Sequence, residues 1–103
     1  MTDAITLKRG DSFRLECTLL AGGEPVDITG WQIDSHVRNA GGRLVQRLAL
    51  TVVDVLGGAY TMGANTAAWP TGTLRMDVRY VDAIGVVVHT RDVLIIVLEA
   101  VTP

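Results

Sequence analysis

Thr73-Leu74-Arg75-Met76-Asp77-Val78-Arg79-Tyr80 alternates polar and apolar residues without a break. Period two marks a strand with one buried face, here Leu74, Met76, Val78 and Tyr80. Such a strand needs an opposing apolar face, and the segments upstream supply one. Over residues 12–20, Phe13, Leu15, Cys17 and Leu19 alternate with Ser12, Arg14, Glu16 and Thr18, and Leu20 is the exception. Over residues 31–38, Trp31, Ile33, Ser35 and Val37 fall inward while Gln32, Asp34, His36 and Arg38 fall outward; Ser35 is a small gap in the inward row.

Turn chemistry punctuates these runs. Ile5 and Leu7, with Ala4, make a first short strand that ends at Lys8-Arg9-Gly10-Asp11. Ala21-Gly22-Gly23-Glu24-Pro25 breaks the second, because glycine permits positive φ and proline disfavours helix at the residue before it. Asn39-Ala40-Gly41-Gly42 and Asp82-Ala83-Ile84-Gly85 read as hairpin turns. Residues 65–70 are too short and too proline-limited for a helix beyond one turn, capped by Asn65 or Thr66.

Two segments are apolar on both faces. In residues 43–55, Leu44, Leu48, Leu50 and Val52 lie on one side and Val45, Ala49 and Val53 on the other, the pattern of a strand that bends from one sheet into another. Residues 86–98 have a polar interruption at His89-Thr90-Arg91-Asp92 and then the run Val93-Leu94-Ile95-Ile96-Val97-Leu98. A period-two strand cannot turn all of these to one core, so its outer face is either covered or an assembly surface. Short strands, glycine-rich turns and no long helical pattern predict an all-β fold, an antiparallel immunoglobulin-like β-sandwich of seven to eight strands in one domain, residues 1–103.

Composition narrows the function. A chain of 103 residues has room for one core and buries roughly 65% of its unfolded surface. Apolar residues make up 49%, high for so small a domain, which points to apolar surface covered by another subunit. Nine basic and eleven acidic residues are interspersed, giving a net charge of −2 and no field that would concentrate nucleic acid. Cys17 is the only cysteine, so there is no internal disulfide and no cysteine-rich zinc site. Neither a signal-peptide pattern nor a run of roughly 20 apolar residues is present, so synthesis in a cytoplasm and no membrane partner are expected.

No residue set suggests catalysis, and no cofactor is expected. His36 and His89 read as surface histidines rather than a metal pair completed by Asp34 or Asp92. Cys17, on an inward face, reads as a small apolar residue and not as a nucleophile. Asp11, Asp27 and Asp82 sit in or beside turns, where aspartates bond their own backbone more often than calcium. Arg14, Arg38, Arg75 and Arg79 alternate with Glu16, Asp34 and Asp77, a pattern of cross-strand ion pairs rather than a nucleic-acid face.

Three motifs together carry a resemblance: Lys8-Arg9-Gly10-Asp11 before a strand; Gly23-Glu24-Pro25-Val26-Asp27-Ile28-Thr29-Gly30-Trp31 before the next; and Trp69-Pro70-Thr71-Gly72 leading into residues 74–85. The pattern resembles small phage and prophage tail-associated domains, in particular the N-terminal domain of baseplate upper proteins, which run Gly-Asp, strand, Gly-x-Pro-Val-Asp-Leu-Thr-Gly, strand, then Pro-x-Gly into a strand with an Asp-x-x-Gly hairpin. The resemblance extends from about Ile5 to Thr102. It implies a non-catalytic virion protein of the tail, baseplate or head–tail region, a docking or assembly module whose partners are other phage structural proteins or a second copy of itself. The expected interface residues are Trp69, Leu94, Ile95, Ile96, Val45 and Val53. The alternative is a monomeric accessory or adhesion module that binds carbohydrate or protein through the loops 22–30 and 64–72, with Trp69 as the stacking residue.

Overall fold

A computed structural model of the chain describes residues 3–90 and 92–102; Arg91, within the expected polar interruption, lies outside the described residues. The fold is all-β. Its strands are β1 (Asp3–Lys8), β2 (Ser12–Thr18), β3 (Leu20–Ala21), β4 (Glu24–Pro25), β5 (Gln32–Arg38), β6 (Leu44–Arg47), β7 (Ala49–Asp54), β8 (Ala59–Asn65), β9 (Gly72–Val81), β10 (Val87–His89) and β11 (Val93–Leu98). A large sheet runs β1-β11-β9-β5-β6, with β10 also paired to β9. A small sheet runs β2-β8-β7, and β3 and β4 form a ribbon of their own. These eleven segments exceed the expected seven to eight because interruptions at Leu19, Leu48 and Thr90 divide what the sequence presents as continuous strands, and β4 forms within an expected turn.

The opening stretch becomes β9, the longest strand at ten residues. On one side it pairs antiparallel with β5, placing Ile33 opposite Tyr80, Ser35 opposite Val78 and Val37 opposite Met76. On the other it pairs antiparallel with β11, placing Val93 opposite Met76 and Ile95 opposite Leu74. Facing positions across paired strands share a face, so all of these point into the core. The small sheet contributes Phe13, Tyr60 and Met62, buried in the same core. Ser35 fits the inward row because its hydroxyl donates to the Asp77 carbonyl at 2.6 Å, which removes the cost of an unpaired buried polar group.

The expected crossing between sheets is present. β6 pairs with β5 and β7 with β8, and Leu48 between them is buried. Its amide donates to the Ser35 carbonyl at 2.9 Å, which ties the crossing point to the large sheet. The polar interruption before β11 also has a physical basis. Thr90 donates its amide to the Val78 carbonyl, and its Oγ1 accepts from the Val78 amide, each at 2.9 Å, so Thr90 meets both backbone groups of Val78 between β10 and β11. One expectation is corrected: β1 pairs with β11 in parallel, Ile5 beside Ile95 and Leu7 beside Val97, so the large sheet is mixed and not purely antiparallel.

Turn aspartates and asparagines cap their own backbone. Asp11 Oδ2 accepts from the Lys8 amide, Asp82 Oδ1 from the Ile84 and Val86 amides, and Asn39 Oδ1 from the Gly41 and Arg43 amides. Asp27 Oδ1 accepts from the Thr29 hydroxyl and amide, which holds its carboxyl below the usual carboxylate range. Residues 65–70 form a turn without a helix: the Trp69 amide donates to the Thr66 carbonyl at 3.0 Å, and Asn65 Oδ1 accepts from the Ala67 amide at 2.9 Å. Thr66, fully buried, accepts from the Gly10 amide and donates to the Asp11 carbonyl, and so joins this turn to the one before β2.

The two sheets meet through a hydroxyl contact. Tyr60 on β8 and Tyr80 on β9 place their oxygens 2.5 Å apart with rings edge-to-face. Burial pushes both phenols above their ordinary range; the shared hydrogen bond adds to the rise at Tyr60 and offsets part of it at Tyr80. Burial likewise raises the nearby Cys17 thiol, partly offset by its hydrogen bond with Tyr60. Because the folded state retains these protons after the unfolded chain has lost them, the stabilisation is complete below the unfolded values and declines above them.

Two predictions follow from these contacts. Stability measured by urea unfolding is expected to hold near neutral pH, to begin falling above about pH 8.5 as the unfolded thiol ionises, and to steepen above about pH 10 by up to ~1.4 kcal/mol per pH unit for each tyrosine. The double substitution Tyr60→Phe, Tyr80→Phe should remove the steep limb; an unchanged slope would contradict it. Gly58 has φ 67°, and a Cβ there would lie 2.6 Å from the Val26 carbonyl oxygen and 2.9 Å from that of Leu19. Gly58→Ala is therefore expected to cost about 2–4 kcal/mol, against about 1 kcal/mol for Gly22→Ala, whose Cβ meets open space.

Candidate docking face

The strand parity set by β9 decides which of the expected interface residues reach the surface. Ile95 pairs with Leu74 and is fully buried, so it belongs to the core and is withdrawn from the interface set. Leu94 and Ile96 point the other way. Leu94 stands between Arg75 of β9 and Ala4 of β1, and Ile96 between Thr73 and Thr6, all on the outer face of the large sheet. Both are half-buried, and Leu98, next in that row, is 46% exposed. No described element of this chain covers that face.

Trp69 requires a second correction. It is 1% exposed, its ring centroid is 5.6 Å from that of Phe13, and its Nε1 donates to Gln46 Oε1 at 2.6 Å. The indole plugs one end of the core with its polar edge satisfied, so it neither anchors a subunit contact nor stacks on a loop ligand. Val45 is half-buried against the core. Val53 is 67% exposed, but on the outer face of the small sheet, beside Thr51 and Ala49 and opposite the face that carries Leu94. Of the six expected residues, the structure brings together only Leu94 and Ile96 on an open surface.

Next to these apolar residues the same face becomes charged. Across β5 and β9, Asp34 faces Arg79, His36 faces Asp77 and Arg38 faces Arg75. Arg79 Nη1 lies 3.7 Å from Asp34 Oδ2, an exposed pair of about 0.2–1 kcal/mol. Arg47 from β6 faces His36, and His89 from β10 faces Arg79. This surface forms a shallow concavity of about 420 Å³. Among the described residues no three His, Cys, Asp or Glu side chains stand close enough to hold a metal ion.

A second surface feature is absent from the expected set. Val86, Val87 and Val88 are each about half exposed, and an open groove of about 290 Å³ beside them is lined by Leu19, Leu20, Val26, Trp31 and Val88. It lies where β10 and the β3 ribbon flank the core, and among the described residues β10 pairs only with β9. Val86-Val87-Val88 was the available signal, three apolar residues in a row immediately after a hairpin turn.

Comparison with known proteins places this arrangement. A solved structure described as the N-terminal domain of phage TP901-1 ORF48 superposes with TM-score 0.66 over 97% of this chain and 90% of that one, at 15% sequence identity. The two share a fold. No family model and no curated protein sequence matches the chain. The all-β fold expected from the alternating runs and the glycine- and aspartate-bearing turns is thus shared with a phage protein's N-terminal domain along nearly the whole chain.

Parity at β11 gives a sharp contrast between adjacent positions. Leu94→Asp places a carboxylate at a partly solvated site near Arg75 and is expected to change stability by less than about 1 kcal/mol. Ile95→Asp buries an unpaired charge and is expected to cost at least about 4 kcal/mol or to prevent cooperative folding. Urea midpoints of the two variants decide it; equal losses would contradict the register.

Proposed function

We propose that the chain is a non-catalytic docking module of a phage or prophage virion, in the tail, baseplate or head–tail region. The observation that carries this reading is the likeness to a phage protein's N-terminal domain along nearly the full length of both. The turn motifs at residues 8–11, 23–31 and 69–85 support it independently. In this reading residues 1–103 are one immunoglobulin-like module, made in the bacterial cytoplasm and incorporated into the particle. It docks onto other phage structural proteins, or onto copies of itself, through the outer face of the large sheet at Leu94 and Ile96. The high apolar content of the sequence fits a module whose open sheet face is covered only on assembly. The loop-binding alternative loses its main support, since Trp69 is enclosed by Phe13 and Gln46.

Purified particles test the proposal. The wild-type chain is expected at a fixed copy number in the tail fraction after density-gradient purification. The variant carrying both Leu94→Asp and Ile96→Asp should be folded in solution and depleted at least tenfold from tails. Absence of the wild-type chain from particles, or undiminished incorporation of the double variant, would overturn the respective half of the reading.

A further inference from the structure

We infer that the outer face of the large sheet receives a protein surface presenting carboxylates next to an apolar contact; this rests on the docking reading and names the partner's chemistry. Of the outward rows between β5 and β9, Asp34–Arg79 is an ion pair and His36–Asp77 is mixed, but Arg38–Arg75 sets two arginines in facing positions. Like charges in facing positions destabilise a sheet. Arg38 Nη1 donates to the Gly42 carbonyl at 3.1 Å, but among the described residues no carboxylate forms an ion pair with Arg38, Arg75 or neighbouring Arg47. Two arginines without an ion-pair partner thus stand side by side on this face, with Asp77 and Asp92 beside them but beyond salt-bridge distance.

That place adjoins the apolar strip. Leu94 lies directly across from Arg75, so the surface passes from paired arginines to leucine and isoleucine within about two strand spacings, ~10 Å. A partner Asp or Glu seated between Arg38 and Arg75 would accept charge-assisted hydrogen bonds from both. An apolar partner residue lying on Leu94 and Ile96 would exclude water from that contact and strengthen it. Arginine, the cation enriched at interface centres, is supplied here by β5 and β9, and β11 supplies the apolar residues. Asp34, Asp77 and Asp92 break the row of cations that an extended phosphate backbone needs, whereas a single carboxylate needs only the Arg38–Arg75 pair.

Zero-length cross-linking in intact particles tests this. A carbodiimide-activated carboxylate forms an amide with a lysine amine and not with arginine, so Arg38→Lys and Arg75→Lys keep the charge and add a reporter. Each is expected to join this chain to an Asp or Glu of a neighbouring polypeptide at least tenfold more than Arg14→Lys, on the outer face of the small sheet. A join to a second copy supports the same chemistry and identifies that carboxylate surface as the chain's own. Interchain yield from Arg14→Lys equal to or above the other two, with the chain present in particles, overturns the face assignment and leaves the docking reading standing. Absence of the chain from particles removes both. Binding of duplex DNA that is lost in the variant carrying both Arg38→Ala and Arg75→Ala overturns the carboxylate partner in favour of phosphate.

Discussion

β9 lies between β5 on one side and β11 with β10 on the other, so its two-residue repeat fixes which face each neighbouring residue presents. A slip of one residue would exchange Leu74, Met76, Val78 and Tyr80 for Thr73, Arg75, Asp77 and Arg79 and place arginine in the core. That cost makes the register unambiguous, and other features depend on it. Ser35 reaches the Asp77 carbonyl, Tyr80 meets Tyr60 across the sheets, and Leu94 rather than Ile95 faces outward.

The chain protects its core at the ends through polar groups that each have partners. Thr66 joins the turn before β2 to the turn before β9, and Trp69 closes the core beside it with its indole nitrogen bonded to Gln46. At the opposite hand of the fold, Gly58 lets the Leu19 and Val26 backbones approach more closely than a Cβ would allow. The outer faces of the large and small sheets differ in kind. The small sheet presents Arg14 paired with Glu16 beside threonine, alanine, glycine and the exposed Val53; the large one sets Arg75, without an ion pair among the described residues, beside Leu94 and Ile96.

Much of this was legible from local chemistry. Alternation located β2, β5 and β9, the Asn and Asp turns closed where their side chains cap the backbone, and the two-faced run from 43 to 55 crossed between sheets at Leu48. What was not legible depends on pairing at long sequence distance. The parallel union of β1 with β11 joins the two ends of the chain, and nothing local to Ile5 or Ile95 encodes it. The run from Val93 to Leu98 has no polar residue to mark its parity, so Leu94, Ile95 and Ile96 read alike until β9 is placed beside them. Trp69 was ambiguous for a related reason: an indole beside proline in a connection is either exposed or a plug, and the partner that decides it, Gln46, lies 23 residues away.

The most direct test is thiol reactivity at single cysteines in a Cys17→Ala background, measured in the free chain and in the assembled tail. Leu94→Cys should label rapidly when free and be strongly protected in the particle, whereas Val53→Cys, on the opposite face, should label alike in both. Equal reactivity at position 94 in the two states would contradict the large-sheet face as the docking surface.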